Sequence, residues 1–153
     1  MAYGVKYMAE WQSAMRDRKS YNLSIMEDGY SGSPMPLHLT GEGITVINGN
    51  LDDDELTPIK SSEMEIELLC LKDGNPYAAL YTDDPKKYQV TLSRVEGEKR
   101  RICWRGYLNT GEYTQPYDNP PYAVRLRAND GFSILKATPY LQDDGKRYTG
   151  TMR

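Results

Sequence analysis

In Glu63-Met64-Glu65-Ile66-Glu67-Leu68-Leu69-Cys70-Leu71, residues alternate with a period of two: Met64, Ile66, Leu68 and Cys70 point one way, and the three glutamates the other. Successive side chains leave a β-strand on opposite sides, so this pattern fits a strand with one buried and one wet face. A helix would need apolar residues three or four positions apart, a spacing that is scarce in this chain.

The same alternation recurs on both sides of this segment. Val5, Tyr7, Ala9 and Trp11 share one face of a first strand, opposite Lys6, Glu10 and Gln12. Arg16-Asp17-Arg18-Lys19 then turns the chain into a second strand with Tyr21, Leu23 and Ile25 inside, and the two predict a hairpin. Glu27 to Pro34 is a cluster of turn formers. Leu37 and Leu39, then Ile44, Val46 and Ile47, predict two short strands separated by Gly41-Glu42-Gly43 and closed by Asn48-Gly49-Asn50. Pro76-Tyr77-Ala78-Ala79-Leu80-Tyr81 predicts one helical turn, with Asp83-Asp84-Pro85 as its stop. Tyr88, Val90 and Leu92, a polar loop around Gly97, and Ile102, Trp104, Gly106 and Leu108 on one face predict a second hairpin. Val124, Leu126 and Ala128 alternate with Arg125 and Arg127 in a last strand, and Asn129-Asp130-Gly131 turns the chain.

Short strands without βαβ alternation predict a mainly β fold: an antiparallel β-barrel or sandwich of roughly eight short strands with at most one or two short helices. At 153 residues and 17.5 kDa the chain suits one domain. Residues 1–142 are read as a single β domain, and polar residues 143–153 as a tail or a stub leading to further domains. With 39% hydrophobic and 27% charged residues the composition is globular. No apolar run approaches the roughly 20 residues of a membrane helix. The start, Met1 to Lys6, lacks a secretory apolar stretch, so the expectation is a soluble, unexported protein. Cys70 and Cys103 are too few for a disulfide scaffold and lack a zinc spacing; they are read as two small, half-buried thiols.

Charge is uneven. Residues 1–85 carry 15 Asp/Glu against 6 Lys/Arg, a net of −9, while residues 86–153 carry 7 against 13, a net of +6. Either the halves lie on different surfaces and draw one copy to another, or they pair within one sheet and cancel.

Reactive chemistry is sparse. His38 is the one histidine and alternates with Leu37 and Leu39, which makes it a surface strand residue rather than a base. Asp52-Asp53-Asp54-Glu55 lacks the spaced ligands and central glycine of a calcium loop and is read as solvated. Glu63, Glu65 and Glu67 form the wet side of a sheet, and Gly41-Glu42-Gly43 is a turn rather than a phosphate loop. No catalytic, cofactor or metal residue is assigned.

Two features point to partners. Lys99-Arg100-Arg101, Arg105, Arg125 and Arg127 fall on outward positions of the last strands and suggest one positive face. A pI of about 5.2 and the lack of a motif argue against nucleic acid and for an acidic protein surface. Tyr113-Thr114-Gln115-Pro116-Tyr117-Asp118-Asn119-Pro120-Pro121-Tyr122 is a loop stiffened by proline, whose tyrosines offer rigid contact area to a neighbouring chain or a glycan, or pack over the domain's own end. The candidate interaction residues are therefore Arg101, Arg105, Tyr113, Tyr117, Tyr122, Arg125 and Arg127, with Trp104 added for a sugar platform. The 13 tyrosines against one Phe fit surfaces that become half buried.

Tyr88-Gln89-Val90-Thr91-Leu92, Trp104-Arg105-Gly106-Tyr107-Leu108, Pro116-Tyr117, Pro120-Pro121-Tyr122, and Val124 to Asp130-Gly131-Phe132 with Leu135 together resemble a pattern in tail proteins of phages and prophages from gut bacteria. Tyr3-Gly4 to Trp11, Asp28-Gly29-Tyr30-Ser31-Gly32 and Pro58-Ile59-Lys60 are similar to it as well. The order of strand, hairpin with an aromatic-Gly strand, and strand running into Asp-Gly-aromatic resembles the β-barrel domains of tail hub and baseplate proteins. That resemblance implies a structural role in the tail of a virion assembled in the bacterial cytoplasm. It also implies other tail or baseplate proteins as partners, a homo-oligomer in the particle, and no active site; the pI, the lack of a motif and the lack of a long apolar run separately give the expectation of no nucleic-acid and no membrane partner.

Overall fold

The computed structural model describes residues 2–14, 16, 18–49, 61–72, 74–97, 99–109, 111–132 and 146. The acidic run 52–55, the segment 58–60, Leu135 and the 142/143 boundary lie outside these residues. The described residues form eight strands: β1 (Tyr3–Gln12), β2 (Ser20–Asp28), β3 (Met35–Pro36), β4 (Leu39–Asn48), β5 (Ser62–Cys70), β6 (Tyr88–Glu96), β7 (Lys99–Leu108) and β8 (Tyr122–Asn129). The turn expected after Pro76 is a 3-10 turn at Ala78–Leu80.

All eight strands belong to one sheet, ordered β3-β1-β2-β6-β7-β8-β5-β4. The mainly β, eight-stranded expectation holds, and two details of it need correction. The sheet is mixed, because β3 runs parallel to β1 while every other pairing is antiparallel. It is also not closed into a barrel. Its two ends are nonetheless consecutive in the chain, since only Leu37-His38 separates β3 from β4. Leu37 N donates to Met8 O at 2.8 Å and Leu69 N donates to His38 O at 2.7 Å, so this corner touches both ends of the sheet.

β7 and β8 share only two register pairs, Tyr107 with Asn129 and Leu108 with Ala128. The halves on either side of this short seam bury one core in the manner of a sandwich. Tyr7, Leu23, Ile25, Val90 and Trp104 come from one half, and Met64, Ile66, Leu68, Val124 and Leu126 from the other. Gly106 makes the seam possible: a Cβ there would lie 2.3 Å from Asn129 O and 2.3 Å from the Trp104 ring. Below it, the Trp104 indole N–H donates to Ser62 Oγ at 2.9 Å. Ser62 N and Oγ both donate to Asp130 Oδ2, at 2.6 and 2.8 Å, tying the end of β8 to the start of β5.

Three register shifts break the alternation read from the sequence. Val5 pairs with Met26 and Tyr7 with Ile25, so Lys6 is an extra residue and Val5 turns away from the core face. In β7, Trp104 pairs with Leu92 but Ile102 pairs with Ser93, which leaves Cys103 as the extra residue. Ile102 therefore does not share the face of Trp104, Gly106 and Leu108. In β4, Leu39 and Ile44 sit opposite Leu68 and Ile66, so Thr40–Gly43 bulges within one strand instead of separating two. The outer face of β2 and β6 carries Asn22, Ser24, Thr91 and Ser93, which are buried though polar. Asn22 Nδ2 donates to Glu10 Oε1 at 3.0 Å and Ser24 Oγ to Asn22 Oδ1 at 2.7 Å.

Candidate functional site

Arg125 and Arg127 do not contribute to a free positive face. The β5–β8 register sets Glu67 opposite Arg125 and Glu65 opposite Arg127, and each pair closes: Arg125 Nε to Glu67 Oε1 at 2.9 Å, Arg127 to Glu65 Oε1 at 2.7 Å. Thr40 Oγ1 also donates to Glu67 at 2.7 Å. The Thr40 hydroxyl and the Arg125 guanidinium hold the Glu67 carboxyl below the usual carboxylate range. Glu65, Glu67, Arg125 and Arg127, with Glu42, Thr45, Glu112 and Thr114, line a polar groove of about 520 Å3. The glutamate row and the arginine row of the sequence are thus one cross-strand ladder.

Arg101 and Arg105 belong to the other half of the sheet, and the Cys103 bulge places them on opposite faces. Arg105 pairs with Thr91 on the outer face, whereas Arg101 pairs with Arg94, in the row of the Trp11 and Tyr21 rings stacked 5.9 Å apart. The two halves of the chain also neutralise each other in part, through Arg100–Glu10 at 3.5 Å and Lys87–Glu27 at 3.7 Å as well as the ladder.

The tyrosine loop divides. Tyr113 and Tyr122 pack against the core. The Asn75 amide donates to the Tyr113 hydroxyl and, at 2.8 Å, to Gln115 Oε1, while Gln115 Nε2 donates to the Tyr122 hydroxyl at 3.1 Å. Burial pushes the Tyr113 hydroxyl up. Trp104 is buried and is no platform for a sugar. Tyr117 alone is fully exposed, above a hollow of about 420 Å3 with Gln115, Asp118 and Asn119.

His38 is exposed at the rim of a hollow with Leu69, Leu71 and Tyr77, and its backbone N–H donates to the Tyr77 hydroxyl at 3.1 Å. Cys70 is buried and Cys103 exposed, and neither is in a disulfide. Among the described residues no group of three His, Cys, Asp or Glu side chains is placed to hold a metal ion.

One cluster had no signal in the sequence. The Lys6 bulge sends its ammonium inward to Glu27 Oε2 at 2.8 Å, with the Tyr7, Tyr30 and Tyr88 rings at 5.8, 5.9 and 5.4 Å. Burial opposes charge on both partners, yet their mutual hydrogen bond and the Tyr88 hydroxyl outweigh it, so Lys6 is held above and Glu27 below the ordinary value.

Two strand ends are exposed and lack a second neighbouring strand among the described residues. Lys99 to Cys103 of β7 are exposed on both faces, and beyond β6 no described residue pairs with them. Thr45 to Asn48 of β4 are likewise exposed on both faces and, among the described residues, pair only with β5. These two edges carry Ile102, 48% exposed, and Val46 and Ile47, 36% and 40% exposed. Unpaired N–H and C=O groups beside apolar side chains form a template for another strand. The run of cations before Ile102 was the sequence signal of one edge; the exposure of all three apolar residues depended on bulges and sheet order.

No family model, no curated protein and no solved structure matches the chain.

Proposed function

We propose that the chain is a structural module that works by assembling with other chains, as a hub- or baseplate-like component of a phage or prophage tail. The observation that carries the assembly reading is the open edge of β7, where Lys99 to Cys103 present backbone that no described residue beyond β6 pairs with, and Ile102 is exposed. Adding a strand there would satisfy the backbone groups and cover the isoleucine together. The tail assignment rests on the sequence resemblance, whose Asp130-Gly131-Phe132 segment has a structural role here, with Asp130 bonded to Ser62 and to Phe132 N. Mass spectrometry of purified tail particles from cells that encode the chain tests it. The chain is expected at a fixed, multi-copy ratio to the other tail proteins; its absence from intact particles would refute the reading.

A second reading, a carbohydrate-binding domain, keeps one supporting observation: fully exposed Tyr117 beside Gln115, Asp118 and Asn119. Glycan-array binding lost in Tyr117→Ala, from a chain that stays monomeric, would favour it.

A further inference from the structure

We infer that the open edge of β7 receives the open edge of β4 from a second copy of this chain, joining copies head to tail. This rests on the assembly reading above and names the partner. Both edges are strand ends with every residue exposed, so each can add to a sheet without displacing any described neighbour. Val46 and Ile47 on one edge and Ile102 on the other are large, exposed hydrophobic side chains.

Among the described residues Lys99, Arg101 and Arg105 have no ion-pair partner, and neither do Glu42 in β4 nor Glu63, which sits opposite Ile47 in the β4–β5 ladder. Pairing β7 with β7 would set Lys99-Arg100-Arg101 of two copies side by side, like charge against like. Pairing β4 with β4 would leave those cations uncompensated. Pairing β7 with β4 brings cations to Glu42 and Glu63 and places Ile102 beside Val46 or Ile47, which lie on opposite faces of β4. Because the two edges are different surfaces, the contact is heterologous, and repetition gives a ring when the rotation closes.

Cys103 makes this testable without altering β7. Thr45→Cys, Val46→Cys and Ile47→Cys, each in the otherwise native chain, are oxidised in air with copper phenanthroline and analysed by non-reducing gel and peptide mass spectrometry. Paired strands hold Cα atoms about 4.5–5.5 Å apart, within disulfide reach. At least one variant is expected to give a ladder of covalent multimers joined through Cys103, lost entirely when Cys103→Ser is added. Dimers joined only Cys103 to Cys103, or oligomers in sedimentation with no β4 cross-link from any variant, would overturn this pairing while leaving assembly standing. A chain sedimenting as a single copy at every concentration would overturn the pairing too; presence in tail particles would then decide the wider reading separately.

Discussion

The two cysteines differ by environment alone. Burial pushes the Cys70 thiol up, and its Sγ donates to Asn75 Oδ1 at 3.4 Å inside the core, while Cys103 is exposed on the β7 edge. A thiol reagent should therefore modify Cys103 alone in the folded chain and both residues in denaturant; rapid native labelling of Cys70 would contradict the packing described. At Lys6, the pair with Glu27 is only 14% and 17% exposed on its two side chains. Lys6→Met removes the nearer cation from a half-buried carboxylate, leaving it Lys87 at 3.7 Å and the Tyr88 hydroxyl, and should cost about 1–2 kcal/mol in denaturant titration. The pH dependence follows from the two shifts. Glu27, lowered on folding, contributes fully above its ordinary value near 4.3 and loses this as pH falls through its lower folded value. Lys6, raised on folding, contributes fully below its ordinary value near 10.4 and loses this as pH rises through its higher folded value. The deficit of Lys6→Met should thus be flat from about pH 5 to 10 and shrink on either side; a deficit undiminished at strongly acid pH would contradict it. None of this could be read from Lys6 in the sequence, where alternation puts it on the wet face. Asn75 gave no signal either, because the residues to which its amide nitrogen donates, Tyr113 and Gln115, lie about 40 positions away.

At the scale of the strand, period-two reading located β1, β2, β5, β6, β7 and β8 and both hairpins, because each buries one face against a common core. It failed where a single extra residue rotates the strand. The Lys6 and Cys103 bulges exchange the faces of Val5 and Ile102, and nothing in the local composition marks either position. The Gly41-Glu42-Gly43 segment did carry a signal, but a bulge and a break use the same residues; a Cβ at Gly43 would lie 2.7 Å from that of Leu39. Gly106 is the sharpest element-scale test. Gly106→Ala pushes a methyl group into Asn129 O and the Trp104 ring, and should destabilise the protein by about 2 kcal/mol or more with loss of the Trp104 near-ultraviolet signal. Asp130→Ala, which leaves the Ser62 N–H and hydroxyl without their acceptor, should cost about 2–3 kcal/mol. Full stability in either variant would mean that the β7–β8 seam is not held as described.

For the whole molecule, the sequence posed charge polarity as a choice between internal cancellation and attraction between copies, and the fold divides it. Glu10, Glu27, Glu65 and Glu67 of the acidic half pair with Arg100, Lys87, Arg127 and Arg125 of the basic half. Among the described residues, the charges without an ion pair include cations on the β7 edge and carboxylates beside β4. Whether two halves cancel depends on strand order, which alternation does not encode, so this division was not legible beforehand. The same holds for barrel closure, which turns on how few residues β7 and β8 share. The central claim, that open strand edges join this chain to its neighbours, is tested most directly by sedimentation equilibrium of the wild-type chain and of Ile102→Lys. The substitution adds a charge to the exposed edge and leaves the core untouched. The wild type is expected to exceed the 17.5 kDa of one chain and to grow with concentration, while Ile102→Lys sediments as one chain with unchanged thermal midpoint. Identical behaviour of the two proteins, whether both associate or both remain single, would contradict it.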